Sequence, residues 1–308
     1  MGSPFAITIW HTDSAAATAC VHSGMQLADS LIAIFSDYDS TALVGRLNRL
    51  AASEALQVPA FFYHFLQRCR MLQQRSAGAF NVAIGPLSAL WRQARRSQQW
   101  PADSIVQQAR HASSLQHWQL QPKGYAVKKL EAAARLDFGG IAKGYIAQQV
   151  ADDLMQRGAT AVLVDAGGDL AAAGVPPGQQ GWRILVNKPQ SEDTWPQPLL
   201  LGTGQRFRAV ATSGDLYQGM LHEGQFYSHI IDPATGYGVR HGRNVSVLAN
   251  DAATADWLAT AASILPAPQV RKLCRRYRAA FIITTLVEGK IITYRSDDFP
   301  ALQQNEEE

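Results

Sequence analysis

The chain has 308 residues, of which 47% are hydrophobic and 17% charged, enough for a substantial core, and its net charge of +3 gives no global reason to expect a polyanionic partner. The longest apolar runs, such as FIITTLV at 281–287, fall far short of the roughly 18 residues of a membrane helix, so no membrane span is expected. Cys20, Cys69 and Cys274 are odd in number and widely separated, with no C-x-x-C pair for zinc or redox chemistry, and are expected as reduced core thiols.

In chain order, MGSPFAITIW enters a strand at 5–10 without the basic, apolar and small-residue regions of a secretory leader. That opening implies a cytoplasmic protein, or a periplasmic one if a leader has been removed. Asp13 or Ser14 caps a long helix to Phe35, with an apolar stripe of Val21, Met25, Leu27, Leu31, Ile34 and Phe35. Helices are predicted at 40–53 and 59–75. A glycine-bearing loop in SAGAFNVAI leads to Gly85-Pro86, which opens another helix, and a polar helix lies near 102–114.

WQLQPKGYAVKKLE (118–131) reads as a hairpin turning at 122–124. The glycine-rich LDFGGIAKG feeds a helix to residue 156 with Ile146, Val150 and Leu154 on its apolar face, and AVLVDAGGDLAAAG (161–174) reads as strand, glycine turn and strand. Strands are predicted at 182–187, 206–212, 225–231 and 244–248, a helix at 251–265, and a hairpin turning at Glu288-Gly289. RKLCRRYR (271–278) suits a solvated helix face better than a phosphate contact, and no nucleic-acid partner is expected. No period of 20–50 residues repeats. Helices at the start and irregular mixing afterwards indicate an α+β fold with a mixed β-sheet core.

Several stretches can carry chemistry, each with a plainer reading. Asp256 and Thr260 stand four apart on one helix face, a carboxylate and a hydroxyl suited to a hard cation, or merely a surface pair. DFGGIAKG (137–144) offers backbone amides, a helix start and Lys143 to phosphate oxygens, and a bare glycine carbonyl to a metal, yet could be a tight turn. DAGGDL (165–170) sets two carboxylates around a turn of the kind that joins ordinary hairpins. ATSGDLYQG (211–219) groups Thr212, Ser213 and Asp215, able to grip a polar ring edge or to cap a helix. In YSHIIDPATG (227–236), His229 and Asp232 either hydrogen-bond a turn or face a site.

Taken together and in order, AFN, DFGGIAKG, DAGGDL, ATSGD, YSHIIDPATG and TADWLAT resemble the ApbE family, the FAD:protein FMN transferases once described as thiamine biosynthesis lipoproteins. The likeness extends through MGSPFAI, FSDYDSTALVGRLN (35–48) and GPLSALW (85–91). It implies an ApbE-like (T-fold-like), two-lobed single unit over 1–308, with a helical lobe at about 11–115, a mixed α+β lobe at about 116–300 and a frayed tail at 301–308. It further implies magnesium-dependent cleavage of FAD, with FMN passed to a threonine of an acceptor flavoprotein and AMP released. The FAD contacts would be Met1, Tyr38, Ala79, Phe80, Asn81, Asp137, Lys143, His229 and Ile231, joined by Thr212 and Ser213. The metal ligands would be the Gly140 carbonyl, Asp256 and Thr260, and the catalytic base His229. Asn81 and Ala83 stand where the family usually has Asp and Thr, replacing a charge with an amide at that end of the FAD site. Two other functions suit the same residues: a magnesium-dependent FAD pyrophosphatase giving FMN and AMP, and a flavin-binding protein without turnover.

Overall fold

The computed structural model describes residues 3–186, 199–214, 219–287 and 290–300. Strand β1 (Phe5–Trp10) is followed by helices α1 (Ser14–Phe35) and α2 (Leu43–Arg49), β2 (Ala55–Gln57), and helices α3 (Ala60–Arg75), α4 (Gly85–Ser97) and α5 (Asp103–Ala112). The hairpin β3 (Trp118–Gln121) and β4 (Ala126–Lys129) precedes α6 (Ala142–Gln156). Then come β5 (Ala161–Ala166), β6 (Leu170–Gly174), β7 (Trp182–Ile184), β8 (Leu199–Leu201), β9 (Ala209–Gly214), β10 (Gly219–His222), β11 (Gln225–Ser228) and β12 (Arg243–Ala249). Helices α7 (Ala252–Ala262) and α8 (Ala267–Arg276) and the pair β13 (Ala280–Val287) and β14 (Lys290–Arg295) close the described chain.

Seven strands form the main sheet in the order β1-β5-β6-β9-β12-β13-β14. The α+β expectation holds, and the mixed core is more specifically antiparallel at every pairing between the described strands. Close hairpin partners such as β5–β6 and β13–β14 can join only that way. Alternation along each strand divides the sheet's residues between two cores. Val162, Val164, Val245, Val247, Phe281 and Ile283 face the large core under the helices, whereas Ala161, Val210, Leu248, Ala280 and Ile282 face a smaller one with Trp182, Leu199 and Leu201 from the β7–β8 hairpin.

Helix α1 starts at Asp13, whose carboxylate accepts the Ala16 N–H at 2.9 Å. Its buried face keeps Leu31 and Phe35 of the expected stripe but adds Cys20, Gly24 and Ala28, while Met25 is 37% exposed. The reason is close approach to α6, since a Cβ on Gly24 would lie 3.0 Å from a Leu154 methyl. The predicted helix at 40–53 is shorter, and β2, β8 and β10 were not foreseen. All three cysteines are free and buried. The turn at Glu288-Gly289 and the tail 301–308 lie outside the described residues. Among the described residues, no helix is long and apolar enough to cross a membrane.

Candidate active site

The glycine turn between β5 and β6 gives its two carboxylates different work. Asp165 Oδ1 accepts the Gly168 N–H at 2.7 Å, and Gly167 and Gly168 take positive φ of 69° and 94°, which closes the turn. Asp169, only 2% exposed, lies just before β6 and receives the Lys143 ammonium in an ion pair, while its Oδ1 accepts the Thr212 N–H at 3.3 Å. One carboxylate thus ties together the first turn of α6, the β5–β6 turn and strand β9. Burial alone would lower the Lys143 pKa, but the carboxylates of Asp169 and Asp256 outweigh it and raise the pKa, so the ammonium stays charged.

Asp256 sits on α7, 5% exposed, with Oδ2 accepting the Gly144 N–H at 2.9 Å. The contact needs glycine at 144: a Cβ there would stand 2.2 Å from the Ala252 carbonyl oxygen and 2.8 Å from Asp256 Cβ. Burial first, then the neighbouring Asp169 charge, pushes the Asp256 pKa up to about 8, against the pull of Lys143. One helical turn on, the Thr260 hydroxyl lies 3.4 Å from the Gly140 carbonyl oxygen.

These residues fit a hard cation. Two buried carboxylates share one ammonium, leaving a local deficit of positive charge. Adjacent oxygens around a magnesium ion stand about 3 Å apart, and the Gly140–Thr260 spacing is of that order and long for a hydroxyl–carbonyl hydrogen bond. Among the described residues there is no cluster of three or more His, Cys, Asp or Glu; one carboxylate with neutral oxygens is a donor set that magnesium accepts when substrate and water complete its shell.

His229 follows β11 directly. The chain leaves the strand in a bend fixed by the Ser228 N–H to the Val239 carbonyl and the Val239 N–H to the Ile230 carbonyl, each 2.9 Å. Asp232 serves the next turn: its Oδ1 accepts the Ala234 N–H at 2.9 Å and its carbonyl accepts the Gly236 N–H at 2.8 Å. The predicted strand at 225–231 therefore ends at Ser228, and Ile231 bridges to Gly238. Trp91 of α4 donates its indole N–H to the Gly236 carbonyl at 2.7 Å, holding the loop against the helices.

Three adjoining cavities share His229 and Gly139. One of about 310 Å³ is lined by Lys143, Thr212, Ser213, Asp256 and Thr260, the polar groups just described. A second, about 260 Å³, takes Ala79–Asn81, Gly140, Ile231 and Thr260. The third, about 340 Å³, has Phe35, Phe138 and Ile146 among its apolar walls and Tyr38, Arg92, Asp137 and Lys143 among its polar ones. Arg92 holds Asp37 at 2.5 Å and lies 4.5 Å from the centre of the Tyr38 ring, which is itself 81% exposed. Asp137 Oδ1 accepts the Gly139 N–H at 2.8 Å, and burial raises its pKa, as does the charge on Asp37.

Every described residue expected at the site lines one of these cavities. Met1 and Asp215 lie outside the described residues. Phe80 is 2% exposed with its ring tilted onto Trp257, so its side chain belongs to the core. Asn81 donates to the Ser113 carbonyl at 2.9 Å and accepts the Ala83 N–H at 2.8 Å, so the amide holds its own loop. Asp169 stands out in sequence only as one of two carboxylates at an apparently ordinary turn, and Ser88, Arg92 and Arg95 do not stand out at all. Their spacing of four and three residues on a helix that buries Leu87, Trp91 and Ala94 was the available signal.

The fold and this site agree with a single class of protein. The ApbE family profile matches residues 1–283, and the chain belongs to the ApbE family and is an enzyme of the transferase class. It is 30% identical over 233 residues to the FAD:protein FMN transferase of Vibrio cholerae, covering 75% of this chain and 68% of that relative. It is 26% identical over 262 residues to that of Salmonella typhimurium, covering 83% and 74%. The crystal structure of the Pseudomonas stutzeri flavinyl transferase ApbE in its apo form superposes with a TM-score of 0.84 at 27% identity, covering 97% of this chain and 93% of that one.

Proposed function

We propose that this chain transfers FMN from FAD to a threonine hydroxyl of an acceptor flavoprotein, releasing AMP and leaving a phosphoester. Membership of the ApbE family and relatives named FAD:protein FMN transferase support flavin transfer. The observation that carries the chemistry is the convergence of Lys143, Asp256, Thr260 and His229 on one cavity that adjoins two others at His229 and Gly139, a layout suited to a dinucleotide gripped at its pyrophosphate.

A magnesium ion held by Asp256, Thr260 and the Gly140 carbonyl would, when bound, neutralise pyrophosphate charge and make phosphorus a better electrophile. Lys143, fixed by Asp169, adds a charge-assisted donor to the phosphate oxygens. The acceptor hydroxyl is too weakly acidic to ionise at neutral pH, so His229 takes its proton at a ring nitrogen as the new oxygen–phosphorus bond forms. The bond from phosphorus to the bridging oxygen breaks, and AMP departs with that electron pair.

Incubation with FAD, magnesium and an acceptor carrying a candidate threonine tests the proposal by mass spectrometry. The expected result is a gain of one FMN on the threonine with stoichiometric AMP, and at least about a hundredfold loss of transfer rate in His229→Ala with a much smaller loss of FAD affinity. AMP and free FMN without acceptor labelling would establish a pyrophosphatase instead, and binding without turnover would establish a flavin-binding protein.

A further inference from the structure

Helix α4 has two working faces. Leu87, Trp91 and Ala94 pack inward with Val106 and Met220, while Ser88, Arg92 and Arg95 line the cavity of about 340 Å³. The two arginines there are in unlike circumstances. Arg92 has Asp37 at 2.5 Å and Asp137 at 4.0 Å, and Tyr38 beneath it. Arg95 is half-buried, and among the described residues no carboxylate lies within 4.0 Å of it. Its burial and the like charge of Arg92 both lower its pKa. A guanidinium does not shed its proton under ordinary conditions, so partly dehydrated N–H donors facing a cavity are costly until a ligand supplies acceptors.

The same cavity has an apolar side. Phe35 and Phe138 meet edge to face there, 5.5 Å apart with planes at 66°, flanked by Ile32 and Ile146. A planar ring seated there would place its polar edge toward the two arginines that line the cavity, and of these Arg92 is committed to Asp37 and the Ser88 carbonyl, whereas Arg95 has no side-chain hydrogen bond or ion pair among the described residues. We propose that Arg95 is a specificity-determining binding residue: its N–H groups donate to carbonyl or ring-nitrogen acceptors on the edge of the heteroaromatic ring received by the Phe35–Phe138 side of the cavity. Arg92, held by Asp37, forms the wall against Tyr38. The inference rests on the flavin-dinucleotide reading above and adds to it the residue that reads one ring. Both ends of FAD carry such acceptors, the isoalloxazine as carbonyls and the adenine as ring nitrogens.

The test compares Arg95→Met with the parent and with Arg96→Met, an exposed neighbour outside the cavity. FAD affinity is read by flavin fluorescence, transfer by steady-state kinetics, and the ring by competition with FMN and with AMP. Arg95→Met should raise both the Kd and the KM for FAD roughly tenfold or more, leave kcat within about twofold, and weaken inhibition by only one of the two competitors, identifying the ring. Arg96→Met should match the parent. Unchanged FAD affinity in Arg95→Met, an equal loss in Arg96→Met, or equal weakening of FMN and AMP would overturn the Arg95 assignment alone. A parent protein that binds no FAD would overturn that assignment together with the function on which it rests.

Discussion

Asp165 and Asp169 stand four residues apart around one glycine turn, and nothing in their immediate sequence tells them apart. Only the fold brings Lys143 within reach of Asp169, from 26 residues away, while Asp165 spends its carboxylate on the turn. Asp169→Asn keeps an acceptor for the Thr212 N–H but removes the counter-charge that aims Lys143. Transfer should fall about tenfold or more while FAD affinity changes far less, measurable as a kcat effect with little change in Kd. Parent-level kcat in that variant would show that Lys143 needs no such aiming. Asp256 and Thr260 were legible because a helical period puts them on one face, and Asp232 was legible as the anchor of its own turn. Arg95 was not, since the value of a cation depends on which carboxylates its neighbours have already taken.

Among the elements, the hairpin β10–β11 depends most on contacts that local pattern cannot reveal. It carries the chain into His229, yet its own pairing is only four residues long. What fixes it is an aromatic group from three parts of the chain: Trp100 stacks on His222 at 4.0 Å with planes 3° apart and meets Tyr227 at 4.7 Å, while Trp91 packs on both Trp100 and Tyr237. Trp100→Ala should cost about 2 kcal/mol of stability and reduce amide protection through 225–231. Leu221→Ala, at a 72% exposed position on the same hairpin, should do neither. Equal protection in the two variants would refute the clamp. The alternating burial of β1 and the cap at Asp13 were readable from sequence because they are local. On α1 the stripe of Leu27, Leu31, Ile34 and Phe35 was legible, whereas Cys20, Gly24 and Ala28 were missed because small residues facing a close neighbour carry almost no hydrophobic signal.

Across the whole molecule, buried ionisable groups pull stability in opposite directions with pH. Asp137, Asp169 and Asp256 have raised pKa values, so the folded state binds their protons more tightly than the unfolded chain does. The stability they add is complete below the ordinary carboxylate range and is lost as pH rises, for Asp256 through about 8. His241 acts in the opposite sense. It donates from Nε2 to the Ser263 carbonyl at 3.0 Å, and burial, aided by Arg243, lowers its pKa below 6.5. Its contribution is full above that value and declines as pH falls beneath it. His241→Gln should therefore shift the pH of maximum stability downward, seen as urea midpoints that fall less between pH 7.5 and pH 5.5 than in the parent. An unchanged acid slope would rule His241 out as its source. The α+β class was legible from the order of elements, whereas the antiparallel order of the sheet and the meeting of three cavities at His229 depend on pairings between distant segments.

At Gly144 the backbone of α6 comes so near α7 that not even a methyl group fits between them. Asp256 reaches the Gly144 amide across that gap, on the same helix that carries Thr260 toward Gly140. Bare main chain therefore acts as a spacer of fixed thickness, one that no rotamer can loosen. The distance from Asp256 to the start of α6 is thereby set by how closely two helices can lie, and not by the reach of a side chain.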